Sequence, residues 1–251
     1  MMLQPLIVIP ARLAATRLPE KPLAMIAGEP MIVHVWRRAM ESGMGEVVVA
    51  CDSERIAAPI RAAGGVAILT DPALPSGSDR IWAAITNHES RITNHDIIIN
   101  LQGDLPTLEP KLLATLVDTL TTSSADIATL AAPITRAQEH DNPAVVKAVI
   151  SLPLQGEGYS RALYFTRATA PYGEGLRYHH IGIYAYKRAA LEKFVSLPPS
   201  PLEIREKLEQ LRALENGLQI AVAVVNTVPL GVDTPEDLKR ARELLLVSAT
   251  R

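Results

Sequence analysis

Short apolar runs rich in β-branched residues alternate with helical patterns along the first half of the chain. The runs lie at 6–9, 46–51, 66–70, 96–101 and 127–131. Periodic stretches that predict helices lie between them, near 31–42, 54–63, 79–87 and 110–121. Continuous apolar strands that alternate with helices are typical of a buried, largely parallel sheet with helices on both faces. The sequence therefore predicts an α/β fold in which ligands bind at the carboxyl ends of the strands.

The second half of the chain has a different pattern, typical of antiparallel or mixed sheet added to the first half. Strand-like runs separated by turn-rich segments lie at 145–151, 162–166, 179–187 and 219–226. Helices are expected at 189–196 and 202–216. Gly217 is expected to end the second of these helices, and Thr234 to cap a last helix that starts at Pro235. Without an internal repeat or long linker, we expect a single domain over residues 1–251.

Composition and missing motifs exclude several classes of protein. The 251 residues are 48% hydrophobic and 21% charged, and a formal net charge of −2 does not favour a nucleic-acid partner. Cys51 is the only cysteine, so neither an internal disulfide nor a thiolate metal cluster is expected. No stretch of about 18 apolar residues and no signal-peptide pattern is present, which predicts a cytoplasmic protein without a membrane partner. Dinucleotide, P-loop, serine-hydrolase and zinc-protease motifs are absent from the sequence as well.

The segment after the first predicted strand is a stiff, positively charged loop, PARLAATRLPEKPL. It contains three cations and three prolines, namely Arg12, Arg17, Lys21, Pro10, Pro19 and Pro22. Arginine offers a planar fork to phosphate oxygens, lysine offers a compact charge, and prolines reduce the entropy lost when a loop closes on a ligand. The spacing alone is equally compatible with a surface turn whose cations are solvated.

Two aspartates are candidate metal ligands. Asp104, in INLQGDLP, lies just past a buried strand, and Gly103 before it allows the backbone to approach a ligand closely. Asp233, in GVDTPED, directly precedes the last predicted helix. Carboxylate oxygens are hard ligands that suit Mg²⁺. Turn chemistry or a helix dipole would also account for these aspartates, and the sequence does not show that the two meet.

A series of motifs resembles one enzyme family along almost the whole chain. The motifs are IPARLAATRLPEKPL, PSGSDR, NLQGD, HIGIYAYK, PSPLEIREKLEQLR and GVDTPEDL, spanning residues 6 to about 245. They closely resemble the 3-deoxy-manno-octulosonate (Kdo) cytidylyltransferases, also called CMP-Kdo synthetases. The resemblance implies a Rossmann-like nucleotidyltransferase fold, with a mixed, mostly parallel sheet. It also implies a magnesium-dependent reaction of CTP with Kdo that gives CMP-Kdo and pyrophosphate for lipopolysaccharide biosynthesis.

The resemblance also implies roles for individual residues and a homodimer. The catalytic residues would be Arg12 and Lys21, which stabilise phosphate charge, with Asp104 and Asp233, which hold Mg²⁺. The nucleotide would further contact Ala11, Ser76, Gly77 and Gln102. The sugar acid would contact Arg167, His180, Tyr184, Glu209 and Gln210.

The residues that would contact the sugar acid are also compatible with purely structural roles. Strand alternation in HHIGIYAYK puts one set of side chains on a common face: His180, Gly182, Tyr184 and Tyr186. A half-exposed sheet face would give the same pattern, and the resemblance is what favours His180 and Tyr184. Arg167 could equally pair with a protein acid. Glu209 and Gln210, which lie off a stripe of Ile204, Leu208, Leu211 and Leu214, could belong to a solvated helix face.

Two other functions are compatible with the sequence. The same chemistry on a related sugar acid, such as an amino-Kdo analogue, would need few different side chains. A non-catalytic nucleotide-binding paralogue is disfavoured because Lys21, Asp104 and Asp233 occur together, and a sensor needs no reactive metal geometry. Four departures from the family pattern bear on nucleotide affinity rather than on the reaction: Ala15, Glu20, where glycine is common, Pro75 and Leu105.

Overall fold

The computed structural model describes residues 5–14, 17–87, 95–151 and 158–248, so Ala15 lies outside the described residues. The chain divides into two compact units. Unit 1 comprises Met1–Ala114 and Pro229–Arg251, and unit 2 comprises Thr115–Val228. The expectation of a single domain stays a prediction.

The described residues contain strands and helices of ordinary length. The strands are β1 (Leu6–Ala11), β2 (Met25–Ile26), β3 (Glu29–Pro30), β4 (Glu46–Cys51), β5 (Val66–Leu69), β6 (Ile97–Asn100), β7 (Ile127–Pro133), β8 (Lys147–Ile150), β9 (Tyr159–Thr166), β10 (Tyr178–Lys187) and β11 (Ile220–Val224). The helices are α1 (Met31–Glu41), α2 (Glu54–Ala62), α3 (Gly77–Asn87), α4 (Lys111–Thr122), α5 (Ala137–His140), α6 (Arg188–Ser196), α7 (Pro201–Glu206), α8 (Gln210–Glu215) and α9 (Pro235–Ser248), with a 3₁₀ turn at Lys21–Leu23. None of the described helices combines the length and the apolar character that a membrane crossing requires.

Unit 1 is built on a parallel sheet. Its strands lie in the order β5-β4-β1-β6, and each neighbouring pair is parallel. Strand β6 is buried throughout and β1 almost throughout, which explains why these segments are continuous apolar runs rather than alternating ones. The carboxyl ends of these strands share one edge of the sheet, so the loops that follow them meet there, as the sequence predicts.

Unit 2 is largely antiparallel. Its strands lie in the order β10-β7-β11-β9-β8, in which only β7 and β11 run parallel, and β8 also pairs with β10. The predicted antiparallel region in the second half is therefore confirmed. The apolar run at 127–131, which the sequence pattern groups with the first-half strands, instead forms β7 within this unit.

A bulge interrupts the pairing of β10 with β7. His180 pairs with Ala131, whereas Tyr184 pairs with Thr129, so the step from one pair to the next takes four residues on β10 and only two on β7. Tyr184 thereby occupies the position beside His180 that Gly182 would hold in a regular strand. The predicted common face of His180 and Tyr184 is present, and Gly182 lies within the bulge.

The single helix predicted over 202–216 is wrong, because the segment forms two helices. α7 ends at Glu206, and Lys207 adopts a left-handed conformation with φ 56° and ψ 47°. α8 then begins at Gln210. Arg167 stabilises this break, since its Nε donates to the carbonyl oxygen of Glu206 at 2.9 Å. The local sequence EIREKLEQLR consists largely of good helix formers, so a long-range contact and not local propensity favours the break.

Two predicted helix ends are confirmed. Gly217 follows α8 with φ 77°, and its N–H donates to the Leu214 carbonyl oxygen at 3.1 Å. Thr234 caps α9, because its Oγ1 accepts from the Asp237 N–H at 3.2 Å while the Asp237 carboxylate accepts from the Thr234 N–H at 3.0 Å. This reciprocal cap fixes the backbone immediately after Asp233.

Candidate functional site

A cavity of about 320 Å³ opens in unit 1 at the carboxyl edge of the parallel sheet. The loops after β1, β5 and β6 line it, together with Asp233 before α9. Its lining includes every residue that the resemblance assigns to phosphate, metal or nucleotide: Ala11, Arg12, Lys21, Ser76, Gly77, Gln102, Asp104 and Asp233. Segments that lie far apart in the sequence therefore meet in one cavity. The contacts of these residues with a nucleotide stay a prediction.

The cavity lining carries an excess of positive charge. Four cations and two carboxylates line it, which leaves two positive charges in excess: Arg12, Arg17, Lys21, Arg80, Asp104 and Asp233. A concave site with this balance attracts a ligand that bears several negative charges, such as a triphosphate.

Lys21 joins the two aspartates. Its Nζ donates to Oδ2 of Asp104 at 2.7 Å and to Oδ1 of Asp233 at 2.9 Å. Burial by itself would lower the pKa of Lys21, but the attraction of Asp104 and Asp233 outweighs burial and raises that pKa. Lys21 is therefore an ammonium cation, and the two carboxylates point at the same small volume.

Main-chain contacts hold Asp104 in this position. The Val232 N–H donates to the carbonyl oxygen of Asp104 at 2.9 Å, which joins the loop after β6 to the segment before α9. A Cβ at Gly103 would lie 3.0 Å from the carbonyl oxygen of Pro10. The sequence suggests that Gly103 permits the close approach of a ligand; in the structure, the group that approaches it closely is the backbone at the end of β1.

Hydrogen bonds to Asp52 and Arg55 anchor the two ends of the positively charged loop after β1. The Leu13 N–H donates to the carboxylate of Asp52 at 3.1 Å. Glu20 accepts a hydrogen bond from Nη2 of Arg55 at 2.9 Å. Glu20 has φ 53°, a left-handed conformation that glycine adopts more easily than glutamate does.

In the sequence analysis, no role is assigned to two of the cations that line the cavity, Arg17 and Arg80. Arg17 is noted there only as a loop cation, yet its Nη2 donates to Oδ2 of Asp233 at 3.0 Å. Arg80 is buried on α3, and its Nη1 donates to Oγ1 of Thr70 at 2.5 Å. A signal for Arg80 exists in the sequence, because it lies one turn before Ala84 on the apolar side of the helix.

The segment PSGSDR places the start of a helix at the cavity. Ser76 caps α3, since its Oγ accepts from the Asp79 N–H at 3.2 Å and donates to Oδ2 of Asp79 at 2.6 Å. Gly77, the first residue of α3, lines the cavity. The positive end of the helix dipole is therefore located at a site already rich in cations.

The residues assigned to the sugar acid lie in unit 2. Four of them form a polar cluster: His180, Tyr184, Glu209 and Gln210. Within this cluster, Nε2 of His180 lies 3.0 Å from Oγ1 of Thr129. Nδ1 of His180 lies 3.5 Å from Nε2 of Gln210. Its ring centroid is 4.7 Å from that of Phe165 and 5.5 Å from that of Tyr184. The bulge in β10 and the break before α8 together produce this arrangement.

Both ring side chains of the cluster are uncharged near neutral pH. Burial, together with the neighbouring His179, lowers the pKa of His180 to about 3. Burial raises the pKa of Tyr184 well above its ordinary value, and electrostatic interactions with Tyr186 and Glu209 raise it further. The cluster can therefore donate and accept hydrogen bonds, but neither ring contributes a charge.

Glu209 and Arg167 take part in different contacts. Oε1 of Glu209 lies 3.8 Å from the guanidinium of Arg212, which forms a closer pair with Glu203 at 2.6 Å. Glu209 directly precedes Gln210, and its charge helps to raise the pKa of Tyr184. The Arg167 guanidinium donates to main-chain carbonyl oxygens at 2.9, 2.9 and 3.4 Å, those of Glu206, Pro143 and Lys207. In this structure Arg167 therefore supports the backbone before α8.

Known proteins resemble this chain over nearly its full length. A family model described as "Cytidylyltransferase" matches residues 6–220. The 3-deoxy-manno-octulosonate cytidylyltransferase of Parvibaculum lavamentivorans is 63% identical over 242 residues, covering 96% of this chain and 92% of the relative. The chain belongs to the 3-deoxy-manno-octulosonate cytidylyltransferase family. The Rhodospirillum rubrum member of this family is 60% identical over 96% of the chain and 95% of its own length.

Solved structures agree with membership of this cytidylyltransferase family. A CMP:2-keto-3-deoxy-manno-octonic acid synthetase, solved in complex with CTP, superimposes with a TM-score of 0.88 at 38% identity. The match covers 98% of this chain and 99% of that one. A cytidylyltransferase from Leptospira borgpetersenii superimposes with a TM-score of 0.61 at 18% identity, a likeness of fold alone. The nucleotidyltransferase fold inferred from the sequence is thus confirmed.

Proposed function

We propose that the protein transfers the cytidylyl group of CTP to Kdo and releases pyrophosphate. In this reaction the anomeric oxygen of Kdo forms a bond to the α-phosphorus. The bond from that phosphorus to the bridging oxygen breaks, pyrophosphate leaves, and the anomeric hydroxyl loses its proton. The observation that carries the proposal is the convergence of Lys21, Asp104 and Asp233 in a cation-rich cavity of a chain of this family. A role in lipopolysaccharide biosynthesis is part of this proposal.

The two aspartates fit a magnesium ion that is bound together with a substrate. Among the described residues, no group of three or more His, Cys, Asp or Glu side chains could hold a metal ion. Mg²⁺ commonly uses only one or two protein carboxylates and takes further ligands from substrate phosphates and water. Asp104 and Asp233 would hold the ion, which would supply charge stabilisation to the reacting phosphate.

Lys21 has two roles in the proposed reaction. In the absence of ligand, its ammonium neutralises the two carboxylates, which would otherwise repel each other. Because its hydrogen bonds to both aspartates use the same carboxylates as the metal, Lys21 would turn towards the triphosphate when the metal and CTP bind. Arg12 would hold phosphate oxygens alongside it, and this fixed arrangement of cations would stabilise the charge that moves onto pyrophosphate.

Nucleotide and sugar acid are assigned to different units. The nucleotide would contact Ala11, Ser76, Gly77 and Gln102. Main-chain carbonyl oxygens near Ala11 or in the PSGS segment would accept hydrogen bonds from the cytosine amine. His180, Tyr184, Glu209 and Gln210 would bind Kdo, because they form a polar cluster in unit 2. Arg167 stays a predicted Kdo ligand; its present contacts favour an indirect role through the turn before α8.

Pyrophosphate release with a panel of substrates tests the proposed function. Purified protein with Mg²⁺ is given CTP or UTP, and each nucleotide is combined with Kdo, an amino-Kdo analogue or sialic acid. We expect rapid release only with CTP and Kdo, since a site that hydrogen-bonds the cytosine amine leaves buried groups unpaired with uracil. A preference for the amino analogue would support the related enzyme, and no release with any pair would support a nucleotide-binding protein. Equal rates with CTP and UTP would contradict the assignment of a cytidylyltransferase.

We also propose a homodimer, which rests on apolar side chains in unit 2. Leu163 on β9 and Tyr172 and Leu176 in the following loop are exposed. Contiguous exposed apolar surface often marks a protein–protein interface, and these three side chains are candidates for such a surface. Light scattering after size-exclusion chromatography should give twice the mass of the 27.2 kDa chain, whereas a monomer at micromolar concentration would contradict the proposal. A cytoplasmic location stays a prediction from the sequence.

A further inference from the structure

The hydroxyl of Thr129 connects β7 to the bulge in β10. Thr129 is fully buried on β7. Its Oγ1 lies 2.8 Å from the carbonyl oxygen of Ile183, 3.1 Å from that of Ile181 and 3.0 Å from Nε2 of His180. These three groups surround the bulge that brings Tyr184 next to His180. One buried hydroxyl therefore contacts the His180 ring and two carbonyl groups of the bulge.

The contacts of Thr129 determine which nitrogen of His180 carries a hydrogen. A hydroxyl has one hydrogen, and carbonyl oxygens can only accept. If that hydrogen pointed at His180, the lone pairs of Oγ1 would face the oxygens of both Ile181 and Ile183. If it points at a carbonyl oxygen instead, Oγ1 is free to accept from His180, which requires a hydrogen on Nε2. The second arrangement satisfies more of the buried groups.

The environment of the His180 ring leaves Nδ1 without a hydrogen. The ring is packed against Phe165 and Tyr184, and burial holds the imidazole in its neutral form. A neutral imidazole with its hydrogen on Nε2 presents Nδ1 as an acceptor. The amide nitrogen of Gln210 lies 3.5 Å from Nδ1, at the long limit of a hydrogen bond, so a ligand can compete for this acceptor.

We propose that Thr129 is a positioning residue of the sugar-acid site, which fixes the β10 bulge and holds His180 as the neutral tautomer with its hydrogen on Nε2. His180 then meets its ligand as a hydrogen-bond acceptor through Nδ1. It recognises a hydroxyl group of a polyhydroxy acid and does not pair with the carboxylate. This inference rests on the proposed function in one respect, the assignment of the cluster to Kdo.

Nitrogen-15 NMR of the imidazole rings tests the tautomer without any substrate. The chain has six histidines, and His180 is assigned by the loss of its signals in His180→Gln. We expect the wild-type pattern of a neutral ring with hydrogen on Nε2, the same pattern in Thr129→Ser, and loss of that pattern in Thr129→Val. Added Kdo should move the Nδ1 resonance and leave Nε2 protonated. A charged ring or a hydrogen on Nδ1 in the wild type would overturn the proposal.

Steady-state kinetics test the positioning role. Thr129→Val should raise the apparent KM for Kdo by roughly tenfold or more, as expected for loss of a buried hydrogen-bonding group, and leave the KM for CTP unchanged. Thr129→Ser should restore the wild-type value. The matched control is Thr119→Val, which removes a buried hydroxyl that donates to the Thr115 carbonyl oxygen of its own helix. This variant should change neither KM.

The outcomes separate this inference from the proposed function. An unchanged KM for Kdo in Thr129→Val, with the tautomer intact, would refute the positioning role. Failure of the wild type to use Kdo would refute the proposed function, and the NMR experiment would still decide the tautomer. If Thr129→Val does not fold, the wild-type tautomer and the behaviour of Thr129→Ser still test the proposal.

Discussion

The neutral state of His180 predicts how stability depends on pH. The pKa of His180 is lowered from 6.5 to about 3 in the folded protein. Between these values the unfolded chain binds a proton that the folded chain does not bind. The free energy of unfolding should therefore be highest above pH 6.5 and fall as the pH is lowered towards 3.

The size of the effect follows from the same shift. Each pH unit below the unfolded pKa costs about 1.4 kcal/mol, and the cost begins slightly above that pKa. Lowering the pH from about 7.5 to about 5 should therefore reduce the contribution of this residue by about 2 kcal/mol. We would measure urea unfolding by far-ultraviolet circular dichroism at both pH values in the wild type and in His180→Gln. Subtracting the two pH dependences removes the effect of groups that titrate in both proteins.

We expect the wild type to lose about 2 kcal/mol more than His180→Gln over this interval. His179→Gln is the matched control, because burial also lowers the pKa of His179 but its ring is more exposed, so the variant should remove less of the pH dependence. Identical pH dependence in the wild type and His180→Gln would refute the reasoning, since it would mean that the folded protein protonates His180 readily.

Three further predictions concern named contacts. Asp104→Asn and Asp233→Asn should each remove most activity and keep the fold, because an amide is a poor Mg²⁺ ligand of almost the same shape; near wild-type turnover at limiting Mg²⁺ would exclude that aspartate as a ligand. Arg212→Leu should lower the free energy of unfolding by about 3 kcal/mol, since it leaves the partly buried Glu203 carboxylate without its charged partner, and a loss below about 1 kcal/mol would contradict this. Lys207→Gly should raise stability by about 1 kcal/mol by relieving the left-handed backbone at φ 56°, and a clear loss in urea unfolding would contradict it.

The sequence predicted unit 1 well because its signals are local. Buried parallel strands consist of continuous apolar residues. Every one of the four predicted runs corresponds to a strand of unit 1: 6–9, 46–51, 66–70 and 96–101. Since the loops after parallel strands meet at one edge, the sequence predicted that the loops after β1, β5 and β6 would converge. The roles of individual residues came from the family resemblance, and the meeting of Asp104 with Asp233 required the structure. Arg80 was missed because arginines usually lie on the surface, although its position on the apolar side of α3 is a signal for burial.

Unit 2 was harder to predict because long-range contacts decide its details. The bulge in β10 depends on Thr129 of another strand, and regular alternation in HHIGIYAYK does not reveal it. The break at Lys207 depends on Arg167, about forty residues away, in a segment whose own composition favours an unbroken helix. The positions of Gln210 and Tyr184 relative to His180 therefore required the structure.

The most direct test of the account compares nucleotide and sugar-acid binding in one variant from each unit. Nucleotide binding is measured by calorimetric titration with CTP and Mg²⁺ in the absence of Kdo. Sugar-acid binding is measured by the apparent KM for Kdo. Lys21→Ala should weaken CTP binding by about tenfold or more, or lower kcat, because it removes a charged hydrogen-bond donor. Tyr184→Phe, which removes only a hydroxyl, should raise the KM for Kdo and leave CTP binding unchanged. If Tyr184→Phe weakens CTP as strongly as Lys21→Ala does, the assignment of nucleotide and sugar acid to separate units is wrong.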